Sequence, residues 1–177
     1  MTTWVEVVDT AVKIGFGGII TLAGTFIISK MNHKHEFDKD KSRRYYDSLE
    51  SVSTQVEDMT HISLRYWALI IEWVRNNEQK GLDLTKERQE ELKKTKLDLF
   101  DNFKSLTVAE SKLLLLGLTD TSVALRDYGD YLKAMRRNYY DGKSDIKESD
   151  LENVRATLLY KRKVLFDFLS RDYKKGI

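Results

Sequence analysis

"YYDSLESVSTQVEDMTHISLRYWALIIEW", residues 45–73, decides the fold. Tyr45, Leu49, Val52, Val56, Met59, Ser63, Tyr66, Ile70 and Trp73 recur at alternating spacings of four and three. On an α-helix this spacing keeps every one of them on a single face, as in a heptad seam. Ser63 is the one polar break in it. Near the end, "YWALIIEWV" is apolar around most of its circumference, so that part is expected to be enclosed by other helices or by neighbouring copies. The helix reads as extending from Asp40 to about Asn77.

Composition agrees with a helical chain. The 177 residues include no proline, where average usage gives about nine. Turn-rich β folds and proline-rich linkers use proline freely, and helix interiors exclude it. With no cysteine, a disulfide framework and thiolate metal sites are excluded. A net charge of +2 does not describe a polybasic nucleic-acid binder.

Downstream, "NNEQKGLDLT" breaks the pattern, with Gly81 as a stop and Thr85 as the next N-cap. A second helix over 86–105 places Leu92, Leu99 and Phe103 on one face. "TVAE" reads as a capping box, Thr107 with Glu110, opening a separate short helix that stops near Gly117. Thr119 or Asp120 caps the next, which ends at "NYYDG". "SDLE" reads as a further box, Ser149 with Glu152. It opens a last helix over 150–173 that buries Leu151, Val154, Leu158, Leu165, Phe168 and Leu169. The expected fold is all-α, a bundle of four to five helices over residues 31–177 behind an N-terminal transmembrane segment over 1–30.

That segment is "KIGFGGIITLAGTFIISK", residues 13–30. Counted from Ala11, with Lys13 reaching for the headgroups, it approaches the roughly 20 apolar residues a membrane helix needs. Acids precede it and no small-residue cleavage site follows, so it does not read as a signal peptide. Lys30, Lys34, Lys39, Lys41, Arg43 and Arg44 crowd its C-terminal side. The positive-inside rule then leaves the N-terminus outside the inner membrane and the bundle in the cytoplasm. On a helical wheel Glu6, Asp9, Lys13, Gly17, Thr21 and Gly24 share an arc of about 120°, which Ile20 and Ile27 interrupt. Small residues let membrane helices approach closely, and charges at that depth face a partner or water. These six are therefore the candidate pore-lining or helix-packing residues of a homo-oligomer.

Catalytic patterns are sparse. The histidines are His33, His35 and His61, and no phosphate loop or nucleophile elbow is present. His33 and His35 point apart on a helix and read as a solvated juncture. His61 reads as a packing or interface residue. No metal or cofactor is expected. "RRNYYDG", residues 136–142, resembles the Arg-Asn-x-x-x-His signature of helical HEPN ribonucleases through Arg137 and Asn138, but Gly142 stands in the histidine's place. Without an imidazole no general acid or base is evident, so the chain is not read as an enzyme. Arg136 with Arg137, and "YKRK" at 160–163, are candidate nucleic-acid or partner contacts.

One N-terminal membrane helix, a cytoplasmic helical domain, this size and "RRNYYDG" together resemble the small membrane accessory proteins of type VI-B CRISPR systems, which accompany an RNA-guided ribonuclease. The resemblance is one of architecture and transfers no functional residue. It implies a homo-oligomeric inner-membrane pore that strengthens anti-phage defence by perturbing the bilayer, acting beside the effector ribonuclease functionally rather than by stable contact. The alternatives are a membrane-tethered adaptor that docks a soluble effector, and a HEPN-like membrane-bound ribonuclease.

Overall fold

The computed structural model gives the helical backbone from Trp4 and fully describes residues 36–176, apart from 37, 80 and 144. The helices are α1 (Trp4–Lys80), α2 (Lys86–Leu115), α3 (Thr119–Asn138) and α4 (Glu148–Lys175), and there is no strand among the described residues. By their contacts the residues fall into two units, Met1–Arg44 and Tyr45–Ile177. Among the described residues no helix is long and apolar enough to cross a membrane, and the span expected over 1–30 lies outside them.

The second unit is an up-down-up-down bundle, and its polar contacts fix the directions. Ser51 and Arg65 of α1 meet Lys112 and Glu91 of α2, so these helices are antiparallel. Tyr45 meets Asp172 while Arg75 meets Glu148, which makes α1 and α4 antiparallel. Asp127 with Lys161 and Tyr131 with Val154 do the same for α3 and α4. Short connections allow this order. Gly81 closes α1 in the left-handed region (φ +60°), donating to the Asn77 carbonyl at 3.0 Å. Thr85 caps α2 by accepting from the Arg88 N–H at 3.4 Å. Gly117 turns α2 into α3 (φ +73°), and the Leu118 N–H reaches back to the Leu113 carbonyl.

The seam read from residues 45–73 is the core. From Tyr45 to Trp73 none of its members is more than 7 % exposed, Ser63 included. Around it lie Leu99, Leu106 and Leu113 of α2, Leu125, Tyr128 and Leu132 of α3, and Leu151, Leu158 and Leu165 of α4. Burying each such side chain stabilises the fold by roughly 1.5–3 kcal/mol relative to exposure.

Aromatic side chains add directional ties, several of them to backbone carbonyls. Tyr66 Oη donates to the Tyr139 carbonyl at 2.7 Å, and Trp67 Nε1 donates to the Leu151 carbonyl at 2.7 Å. Tyr45 Oη donates to the Asp172 carbonyl at 3.0 Å. Thr60 uses its one proton on the Val56 carbonyl, so the 2.7 Å contact with Tyr128 Oη is donated by the tyrosine. The Asp172 carboxylate is buried, and accepts from the Thr121 hydroxyl and from Arg171 Nε.

Several expected boundaries are corrected. α2 is continuous through "TVAE", so the described residues form four helices, the lower of the four to five expected. Thr107 Oγ1 bonds back to the Phe103 carbonyl instead of capping, and Glu110 turns outward to pair with Arg126 of α3. No Gly or Pro interrupts residues 86–115, and a capping pattern alone does not break a helix. α3 begins after Leu118 with no side-chain cap. α4 begins earlier than the Ser149 box implies, with Asp150 accepting from the Lys147 N–H at 3.3 Å. Phe103 and Phe168 are half-buried rather than core, the Arg171 guanidinium lying 4.7 Å from the Phe168 ring centre.

Buried hydroxyls at the core give two stability predictions. Ser63 Oγ is buried with no hydrogen-bond partner among the described residues, a condition that costs about 1–3 kcal/mol. Ser63→Ala is expected to raise stability by about 1 kcal/mol, read as a higher urea midpoint at unchanged slope. Burial pushes the Tyr128 phenol up to about 12, against the opposing effect of Thr60. A raised folded-state value keeps its stabilisation below the unfolded value near 10 and loses it as pH climbs from there toward 12. Tyr128→Phe is therefore expected to lose less stability than the parent between pH 10 and 12, measured by urea denaturation at each pH.

Candidate functional site

Glu6, Asp9, Lys13, Gly17, Thr21 and Gly24 all lie outside the described residues, as do His33 and His35. His61 is exposed on α1, so of the packing and interface roles expected for it the structure excludes packing into the bundle. Among the described residues no group of three or more His, Asp or Glu side chains is arranged to hold a metal ion.

"RRNYYDG" forms the end of α3. Arg136 and Arg137 occupy its last turn, where the helix dipole favours cations. Asn138 ends the helix and its carbonyl accepts from Lys143 Nζ at 3.0 Å. Tyr139 packs against the core and Tyr140 is exposed, so only the first of the two tyrosines seals the bundle. Gly142 lies in the left-handed region (φ +89°), a turn conformation that side chains rarely adopt.

The two basic patches fare differently. In "YKRK" every cation is engaged: Lys161 with Asp127, Arg162 with Glu57, and Lys163 with Asp167. Arg136 and Arg137 are exposed and form no ion pair among the described residues. They line an open groove of about 650 Å³ between α2 and α3, together with Lys133 of α3 and with Phe100, Phe103, Lys104 and Thr107 of α2. Lys104 is also without an ion pair, whereas Lys133 holds Asp130 at 3.0 Å. Phe100 is 66 % exposed in the groove wall.

Sequence reasoning found the two arginines and missed the α2 wall. A signal was present: Phe100 and Lys104 are one turn apart, Thr107 follows on the same side, and Lys133 lies one turn before Arg137. Nothing in the sequence pairs those two helical faces across the bundle.

A second feature is apolar. Leu115 is 86 % exposed, and Leu114 and Val123 are about half exposed, around the α2–α3 turn. Lys112 of the same turn reaches Ser51, and Thr121 reaches Asp172 beside Tyr45. The uncovered leucines therefore lie at the end of the bundle where Tyr45 begins it.

Electrostatically the groove is a local excess of positive charge on a chain of nearly balanced charge. Comparison with protein-family models, with curated proteins and with solved structures found no match. Because Arg136 and Arg137 are exposed and unpaired, Arg136→Ala with Arg137→Ala is expected to change folding stability by less than about 0.5 kcal/mol, as thermal denaturation would register.

Proposed function

We propose that the chain is a non-enzymatic, membrane-anchored helical protein that gathers into a homo-oligomeric ring and makes or gates a passage through the inner membrane. The observation that supports this best is the uncovered group of Leu114, Leu115 and Val123 at the end of the bundle holding Tyr45. A leucine left 86 % in water at this turn is apolar surface of the kind that lipid or a neighbouring copy covers.

The sequence supplies the other half. Residues 13–30 have the apolar character of a span, and Glu6, Asp9, Lys13, Gly17, Thr21 and Gly24 share a face that suits close packing around a polar lumen. One helix encloses no lumen, so the reading requires several copies in a closed ring. The resemblance to type VI-B CRISPR accessory proteins gives such a passage a role in anti-phage defence. The adaptor alternative shares the anchor and lacks the passage.

Release of a trapped dye from liposomes carrying the full chain separates the two. Gly17→Leu or Gly24→Leu is expected to slow release at least tenfold while the protein stays in the membrane. Replacing residues 1–30 with an unrelated Leu-rich anchor is expected to abolish release. Undiminished release with the foreign anchor contradicts a passage lined by this segment.

A further inference from the structure

We propose that the groove between α2 and α3 binds single-stranded nucleic acid, with phosphates on Lys104, Arg136 and Arg137 and a base stacked on Phe100. This site stands apart from the membrane passage and does not depend on residues 1–30.

Charge is the first ground. Several arginines elsewhere on the bundle are balanced across helices, by Arg65–Glu91, Arg75–Glu148, Arg126–Glu110 and Arg162–Glu57. The groove instead gathers unpaired cations from two helices around one concavity. Lys104 approaches from α2 and the two arginines from α3, and none of the three has an acidic partner among the described residues. Lys133 and Arg137 are one turn apart on α3, an arrangement in which like charges repel. An anion lying between the walls relieves that repulsion.

The aromatic wall is the second ground. Phe100 is 66 % exposed and lines the same groove as the cations, one helical turn from Lys104. A phosphate ion or polyphosphate has no use for a phenyl ring. A nucleotide strand uses both, because its phosphates seek cations and every base offers a face for stacking. The shape agrees, since a groove of about 650 Å³ far exceeds a phosphate ion and is open for a chain to pass through. A flat layer of anionic headgroups meets a convex surface better than the walls of a concave one.

Fluorescence anisotropy with the full chain in mild detergent, titrated into a labelled uridine-rich RNA of about 15 nucleotides, tests the assignment. Three phosphate contacts on a single strand predict a log–log slope of affinity against salt of about −2, falling to about −0.7 in Arg136→Ala with Arg137→Ala. Phe100→Ala is expected to weaken binding about tenfold with the slope unchanged, because stacking releases no counterions. All three side chains are exposed, and a melting curve matching the parent confirms that each variant is folded.

Equal affinity in parent and variants overturns the proposal. So does displacement of the RNA by inorganic polyphosphate of the same charge with Phe100→Ala silent, which leaves only a basic patch. Displacement by a soluble short-chain anionic phospholipid as readily as by unlabelled RNA also overturns it, and reassigns the groove to lipid headgroups.

Discussion

The second unit depends on one buried face of α1. From Tyr45 to Trp73 that face is shared by α2, α3 and α4, so the three other helices are positioned by what it presents. Its aliphatic members supply the cohesion, and its aromatic members supply the register. Tyr66 seeks the carbonyl of the residue capping α3, and half-buried Trp67, beside the seam, seeks a carbonyl in the first turn of α4. Such bonds are individually modest, about 1 kcal/mol each, yet they are directional and apolar contact is not. A bundle held by leucines alone can slide, whereas one whose tyrosines and tryptophan must each find a carbonyl has far fewer acceptable arrangements.

The seam was legible because its signal is local: the α-helical period lies within one element and every member shows the same chemistry. The stops at Gly81 and Gly117 were legible for the same reason. Helix α2 was misread at Thr107, where a local pattern offered a cap and the rest of the chain had no need of one. Glu110 is better used against Arg126, a partner sixteen residues away that no local rule connects to it. The buried Asp172, bound by Thr121 from another helix, was invisible for the same reason.

The site was half legible, again along the line between local and cross-helix information. Two adjacent arginines can be seen in any sequence, and so can "YKRK". What separates them is the supply of acids on neighbouring helices. Asp127 and Glu57 neutralise the second patch, and α2 offers no acid to Arg136 and Arg137. That contrast makes the α2–α3 groove a place for an outside anion. Meanwhile the uncovered leucines lie at the end of the bundle that holds Tyr45, so the unit presents an apolar end and a basic flank.

The central claim is that copies of this chain assemble around their N-terminal segments. It is tested most directly by the mass of the particle in mild detergent, corrected for bound detergent. The account predicts one discrete species at a fixed multiple of the 20.7 kDa chain, above a dimer. A monodisperse monomer at concentrations where the protein is active contradicts it.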